Sequence, residues 1–105
     1  MLWKRPYVTM ILEGRKTATR RRARPMVRVG RAYRIRVGFY EFLPRRILVE
    51  SMRRQRLGEM TEADATREGV QNLSAFRDEW EAIYGGWDPS EEVWVVEFSL
   101  LPPDP

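Results

Sequence analysis

The chain of 105 residues contains no cysteine and no histidine. These absences exclude disulfide bonds, thiolate nucleophiles, zinc sites with the usual ligands, and catalytic triads that use an imidazole base. Any acid–base chemistry therefore falls to Lys, Asp, Glu, Tyr or Thr side chains. A magnesium site made of carboxylates alone stays open, but no spacing in the sequence indicates one, and we predict no metal and no cofactor.

Long apolar runs are also missing. No run approaches the roughly 18 residues needed to span a bilayer, and the N-terminal segment MLWKRPYVT lacks the apolar centre of a signal peptide. We therefore expect a cytoplasmic protein that does not bind a membrane. An apolar fraction of 43% with twelve aromatic residues predicts a packed core. The length predicts a single domain over residues 1–105.

The formal charge of +4 is distributed unevenly along the chain. Residues 1–57 hold 17 Lys and Arg against 3 acidic residues, for a net charge of +14. Residues 58–105 hold 2 Arg against 12 acidic residues, for a net charge of −10. This asymmetry indicates a basic surface for a polyanion. The alternative is that the two parts pair in three dimensions and neutralise one another.

Local signals predict the first two of three short helices. Residues 6–13 begin with proline at a first helical position, and Gly14 follows as a left-handed stop. The second helix has Thr61 as its N-cap and Asp64, three residues later, as the capping partner. Gly69 is expected to end it.

The third predicted helix lies in NLSAFRDEWEAIYGG and ends at Gly85. Its apolar residues recur at helical spacing, which is far more typical of a core stripe than of a ligand platform. The residues expected in the core are Leu73, Phe76, Trp80, Ile83 and Tyr84.

Three strands are predicted from alternating and apolar patterns. In RAYRIRVGFYEF, Arg34 and Arg36 project from one face, and the opposite face is apolar. That apolar face comprises Tyr33, Ile35, Val37 and Phe39. RRILVESMRRQ follows a turn at Leu43–Pro44, and EEVWVVEFSL, apolar on both faces, is expected to be central. This order of elements favours a small mixed barrel with helices over a parallel α/β sheet.

The segment EGRKTATRRRARP combines one of the two lysines with two threonines and five arginines. GRKT is not a P-loop, because the upstream glycine is missing and a helix precedes the motif. If the segment leaves that helix as a turn, the Lys16 amine and the Thr19 hydroxyl can meet. Neighbouring cations favour the neutral form of an amine, as a general base requires. The alternative is that Lys16 is one more cation on a solvated loop.

Glu68 is a second candidate residue. It lies in the last turn of the second predicted helix, where the helix dipole disfavours an acid by about 0.3–1 kcal/mol. Charged residues in positions that are unfavourable by this energy are common on protein surfaces. If Glu68 faces the Lys16 segment, it supplies the counter-charge for that lysine.

The segment ILEGRKTATRR resembles the signature of ASCH domains, small members of the PUA-like barrel superfamily in which a G-x-K-T-x-T/E-x-R segment follows the first helix. MTEADATREGVQNLSAFRDEWEAIYGGWDPSEEVWVVEF resembles the second half of the same family, and the two segments span nearly the whole chain. The resemblance implies an α+β fold, a small PUA-like β-barrel decorated by three short helices. It also implies a cleft lined by the G-x-K-T segment that binds RNA or nucleotides.

The same segments are similar to a branch of small bacterial amidohydrolases that cleave N4-acetylcytidine to cytidine and acetate. The catalytic lysine, threonine and glutamate of that branch match Lys16, Thr19 and Glu68. The resemblance implies that Lys16 deprotonates Thr19, which attacks the acyl carbon. Glu68 would orient the lysine, and backbone or arginine donors would hold the oxyanion.

We place RNA or nucleotide binding first, because several phosphates explain the basic segment better than one neutral nucleoside does. The predicted contacts are Arg15, Lys16, Arg20, Arg21, Arg22, Arg34 and Arg36. Trp3 and Trp87 are candidates for base stacking. The alternative for Trp87, and the more typical role, is packing against the closing strand. The alternatives are the amidohydrolase and an adaptor that binds a partner protein through its acidic helices.

Overall fold

Five β-strands lie within residues 1–104, the part of the chain that the computed structural model describes. They are β1 (Leu2–Trp3), β2 (Ala18–Arg21), β3 (Ala32–Val37), β4 (Glu41–Arg56) and β5 (Glu92–Leu100). All five form one sheet in the order β1-β3-β4-β5-β2. β1 is parallel to β3, and the other pairs are antiparallel. The sheet curls into a half-barrel, which confirms the predicted α+β fold.

Three α-helices accompany the sheet in the same described residues: α1 (Arg5–Leu12), α2 (Glu62–Arg67) and α3 (Leu73–Tyr84), with one 3₁₀ turn at Leu57–Glu59. The predicted capping box begins α2, since Asp64 N donates to Thr61 Oγ1 at 3.1 Å and Thr61 N donates to Asp64 Oδ2 at 3.0 Å. Gly85 ends α3 with φ 84°, as predicted. No helix within residues 1–104 combines the length and apolar character needed to cross a membrane.

Two apolar clusters pack against the sheet. The larger cluster joins α1 to the strands and includes Ile11, Ile35 and Ile47, each 0% exposed. The smaller cluster packs α3 and the 3₁₀ turn against Val93 of β5. Because Phe98 of β5 belongs to the larger cluster, β5 is buried on both faces, as expected for a central strand.

Two details of the sheet differ from the predictions. The turn predicted at Leu43–Pro44 is wrong, because β4 runs through these residues. The chain reverses earlier, at Gly38, whose φ of 63° ends the strand. Phe39 therefore lies in the turn, 73% exposed, and does not continue the apolar face of β3.

The prediction is also wrong for one residue of the core stripe of α3. Phe76 and Trp80 are buried, and Tyr84 stacks on Trp80 with ring centroids 4.2 Å apart. Ile83 is 50% exposed. The residues at four-residue spacing face the core, and Ile83 lies on the edge of that stripe.

Candidate functional site

The GRKT segment is fixed by backbone hydrogen bonds to three elements. Lys16 N donates to Met10 O of α1 at 3.2 Å, and Thr17 N donates to Arg67 O of α2 at 2.7 Å. Thr17 O accepts a bond from Phe98 N of β5 at 2.9 Å. The chain therefore leaves α1 as a turn and passes the end of α2 before it enters β2.

Gly69 allows α2 to approach this segment closely. Its φ of +88° lies in the left-handed region, where a side chain is strained. A Cβ at this position would lie 2.9 Å from Met10 Sδ and 3.2 Å from Lys16 Cβ. Glycine is therefore favoured here both by its backbone conformation and by the space available.

Four charged side chains form a buried network beneath the segment. Lys16 Nζ donates to Glu68 Oε1 and to the Glu68 backbone O, each at 3.0 Å. Arg20 Nη1 donates to Glu68 Oε2 at 2.8 Å, and Arg20 Nη2 lies 3.5 Å from Asp64 Oδ1. The four side chains are between 1% and 8% exposed. Two cations thus balance two carboxylates, as a buried network requires.

Further contacts hold Arg20 and Asp64 in place. Arg20 Nε and Nη2 donate to Gln55 Oε1 at 3.1 and 2.9 Å, and Arg67 contacts Asp64 from the solvent side at 3.2 Å. Burial acts to raise the pKa of Asp64, but hydrogen bonds from Thr61 and the charge of Arg20 outweigh it. The pKa of Asp64 therefore lies below its ordinary value of 3.8.

A pocket of about 600 Å³ opens over this network. The pocket floor consists of Lys16, Thr19, Arg20 and Glu68, each at most 5% exposed. Its walls are mainly apolar and aromatic: Trp3, Tyr7, Phe39, Phe76, Trp80, Ile83 and Tyr84. Small-molecule sites typically measure about 300–1,000 Å³ and combine apolar walls with a few polar groups. Within residues 1–104, no three His, Cys, Asp or Glu side chains come together as a metal site would need.

Thr19 and Arg21 lie on the same face of β2, and both line the pocket. Arg21 Nε lies 3.4 Å from Thr19 Oγ1, to which it donates. Arg21 Nη2 donates to Leu2 O at 2.8 Å, and its guanidinium lies 5.7 Å from the Trp3 ring centroid. Arg21 therefore connects the two edge strands, β1 and β2, at the pocket.

Tyr7 connects the floor to the opposite wall. Lys16 Nζ lies 5.3 Å from the Tyr7 ring centroid, within the range of a cation–π contact. Burial, followed by the negative charges of Glu79 and Glu68, raises the pKa of Tyr7 above its ordinary value of 10. The Tyr7 hydroxyl is therefore protonated near neutral pH.

Other predicted cations lie outside the pocket. Arg15 pairs with Glu13 at 3.1 Å on the surface, and Arg22 pairs with Glu91 at 2.6 Å. Ion pairs also cross between the basic and acidic parts of the chain: Lys16–Glu68, Arg20–Glu68, Arg20–Asp64, Arg22–Glu91, Arg46–Asp104 and Arg54–Glu92. The alternative that the two parts neutralise one another therefore holds for a share of the charge.

Arg34 and Arg36 lie together on β3, as the alternation predicted, and are exposed and half-buried respectively. Each guanidinium is 5.5 Å from the Phe42 ring centroid. Neither lines the pocket. Their position leaves them available to an anion that extends beyond the pocket.

Neither tryptophan proposed for base stacking is freely exposed. Trp3 is 4% exposed and lies 5.6 Å from Phe98, because β1 pairs with β3 and turns this side chain into the core. Trp87 is half-buried, edge-on against Phe76 at 6.3 Å. Trp87 is not free to stack on a base, and Trp3 reaches a ligand only through the pocket.

The pocket is also lined by four polar residues that were not predicted as site residues: Lys4, Arg5, Tyr7 and Glu79. Glu79 leaves a signal in the sequence, since it is an acid three residues after Phe76 and directly before Trp80 on the apolar stripe of α3. Tyr7 leaves none, because an aromatic residue on a short amphipathic helix is typical of an ordinary core contact.

The curled mixed sheet, the three helices and the pocket at the GRKT segment define a small half-barrel with a ligand-sized cleft. Solved ASCH domains have this fold. The ASCH domain from Lactobacillus crispatus JV V101 matches with a TM-score of 0.65 at 15% identity, over 90% of this chain and 70% of that one. The ASCH protein from Zymomonas mobilis matches with a TM-score of 0.66 at 15% identity, over 98% and 69% of the two chains.

Two further structures share the fold. The hypothetical protein PH0355 matches with a TM-score of 0.70 at 16% identity, over 96% of both chains. Protein EF3133 of Enterococcus faecalis V583, of the DUF984 family, matches with a TM-score of 0.64 at 18% identity over 89% of this chain, which spans 65% of its length. No protein-family model and no curated protein sequence matches the chain. At these identities the likeness shows that the chain has the ASCH fold.

Proposed function

We propose that the chain binds a nucleobase in this pocket, as part of a nucleoside, a nucleotide or an RNA strand. The observation that supports this most is the combination of aromatic walls with a buried, charge-balanced polar floor in a volume of about 600 Å³. A base has planar apolar faces and polar edges. Its faces would pack on the aromatic side chains, and an edge would reach the Lys16 and Thr19 polar groups.

We infer from the charge balance of the floor that the phosphates of a ligand do not contact it. Lys16 and Arg20 are balanced by Glu68 and Asp64, so the floor has no excess positive charge for a phosphate. We therefore propose that Arg20 holds Glu68 in place and does not contact RNA. Phosphates of a nucleotide or strand would instead contact the exposed Arg34 and its neighbour Arg36 on β3, which belong to no ion pair within residues 1–104.

Tryptophan fluorescence tests this proposal, because Trp3 and Trp80 line the pocket. Titration with ribonucleosides, mononucleotides and short single-stranded RNA is expected to change the emission in a saturable way. Ribose 5-phosphate and pyrophosphate, which lack a base, are the controls and are expected to leave it unchanged. Binding of the phosphate compounds without binding of any nucleoside would contradict the proposal.

The second candidate function is hydrolysis of an acylated cytidine. It is favoured by the placement of Thr19 in the same pocket floor as Lys16 and Glu68. Lys16, in its neutral amine form, would take the hydroxyl proton of Thr19, and Oγ1 would attack the acyl carbon. The C–N bond would break as the proton passes to the leaving amine, and water would then hydrolyse the threonine ester. Glu68 would orient Lys16 through the 3.0 Å contact.

Thr19→Val is the sharpest test of this second function. Substitution of Lys16 would remove one partner of a buried ion pair, so a loss of turnover could come from a damaged fold. Incubation with N4-acetylcytidine is expected to release cytidine, and Thr19→Val is expected to reduce the rate by about 100-fold or more. Thr17→Val, a half-buried neighbour outside the pocket, is the matched control. Equal rates for Thr19→Val and the parent would rule out Thr19 as the nucleophile.

A further inference from the structure

Glu79 is an unusual residue for its position. It belongs to the face of α3 that lines the pocket, together with Phe76, Trp80 and Ile83. A carboxylate on an apolar stripe is costly to desolvate unless it has a partner. Glu79 is half-buried. Within residues 1–104, no Lys or Arg nitrogen lies within 4.0 Å of its carboxylate oxygens, the distance that defines an ion pair. The Tyr7 hydroxyl shares a side-chain hydrogen bond with Glu79, and the carboxylate has further acceptor sites that a ligand in the pocket can use.

The neighbour of Glu79 across the pocket is Tyr7 of α1, whose pKa is raised by burial and by the negative charge of Glu79. Tyr7 in turn lies over Lys16 at 5.3 Å. Besides the basic side chains of Lys4, Arg5 and Arg21, the polar groups of the pocket form two sets: the buried floor, and the half-buried Glu79 with Tyr7. Ile83, 50% exposed, lies one helical turn beyond Glu79 and marks the open side.

We propose that Glu79 binds the ribose hydroxyls of a nucleoside whose base fills the pocket, and so makes the pocket selective for ribonucleosides over 2′-deoxyribonucleosides. This inference rests on the proposed function. A base buried between the aromatic walls places its sugar at the open side, where Glu79 lies. A carboxylate has two oxygens that accept hydrogen bonds from a vicinal diol, and it repels a phosphate at the same place.

The test compares each of the four ribonucleosides with its 2′-deoxy counterpart by calorimetric titration. The parent protein is expected to bind at least one ribonucleoside about 10-fold or more tightly than its deoxy form, as the loss of a hydrogen bond to a charged group predicts. Glu79→Gln is expected to lower ribonucleoside affinity and to remove most of this preference. Asp78→Asn makes the same charge change on the exposed face of the same helix and is expected to change neither.

The outcomes separate this inference from the function on which it rests. Equal affinity for ribo and deoxy forms in the parent, or an unchanged preference in Glu79→Gln, would overturn the role of Glu79 and leave base binding intact. Absence of binding by every nucleoside would overturn both. Thermal unfolding of Glu79→Gln checks that the variant remains folded. If Glu79 had a purely structural role, the preference of the folded variant for ribonucleosides would be unchanged.

Discussion

Lys16 and Glu68 are 52 positions apart in the chain, yet Lys16 Nζ and Glu68 Oε1 lie 3.0 Å apart in an ion pair whose side chains are each 5% exposed. This contact joins the segment after α1 to the end of α2. The same two side chains belong to the pocket floor. This one pair of charges therefore contributes both to the stability of the fold and to the polar floor of the pocket.

The two partners of this pair are not equivalent for stability. Glu68→Ala leaves Lys16 and Arg20 buried with Asp64 as the remaining carboxylate, and we expect it to lower the free energy of unfolding by roughly 3–5 kcal/mol. Lys16→Ala is expected to cost less, because Arg20 still pairs with Glu68 at 2.8 Å. Urea denaturation measures both values, with the exposed Lys4→Ala as a control near zero. A larger cost for Lys16→Ala would contradict this ranking.

Gly69 and Gly85 provide a matched comparison for the close approach at the site. Both have left-handed backbones, with φ of +88° and +84°, so alanine at either position costs roughly 1–2 kcal/mol. A Cβ at Gly69 would also press on Met10 Sδ and Lys16 Cβ, whereas a Cβ at Gly85 would meet nothing within 4 Å. Gly69→Ala is therefore expected to lower stability by about 1 kcal/mol more than Gly85→Ala. Equal costs in denaturation would show that the contact is not tight.

The lowered pKa of Asp64 predicts how the free energy of unfolding depends on pH. Its pKa in the folded state lies below 3.8, because bonds from Thr61 and the charge of Arg20 outweigh burial. The stabilisation from Asp64 is thus fully present above its unfolded pKa and is lost as the pH falls through the lower, folded-state value. We expect Asp64→Asn to be less stable than the parent near neutral pH and to lose less stability between about pH 5 and pH 2. Parallel stability curves for the two proteins would contradict this account.

Binding of single-stranded RNA is expected to weaken with salt, by about 0.7 log units of affinity per log unit of salt for each phosphate contact. Arg34→Ala is expected to reduce the steepness of this salt dependence by about 0.7, the contribution of one phosphate contact. Arg22→Ala is expected to leave it unchanged, because Arg22 is held by Glu91 at 2.6 and 3.0 Å. Titrations at several salt concentrations measure both slopes, and a flat response in the parent would exclude an RNA partner.

Local chemistry made the helices predictable. The capping box of Thr61 and Asp64 and the stops at Gly69 and Gly85 depend on residues close in sequence, and the structure confirms each of them. β5 was predictable because a strand buried on both faces has a near-continuous apolar run, here VWVV. In these cases the sequence contains the whole physical cause of the element.

The parts that were missed depend on distant partners. β2 has the sequence ATRR, with little strand preference of its own, and forms because Thr19 pairs with Val96 of β5. Trp3 is buried because its two-residue strand pairs with Val37 of β3. The contact between Lys16 and Glu68 was raised as a condition from their charges and was implied by the resemblance, because no local pattern joins residues so far apart.

The central claim is that the pocket over Lys16 and Glu68 binds a nucleobase, and closing its mouth tests this most directly. Ile83 lines the pocket and is 50% exposed, so Ile83→Trp is expected to fill the opening without disturbing the core. Leu12→Trp, at a position 40% exposed and outside the pocket, is the matched control. Calorimetric titration with nucleosides is expected to show binding by the parent and by Leu12→Trp and none by Ile83→Trp. Undiminished binding by a folded Ile83→Trp would place the ligand elsewhere and contradict the claim.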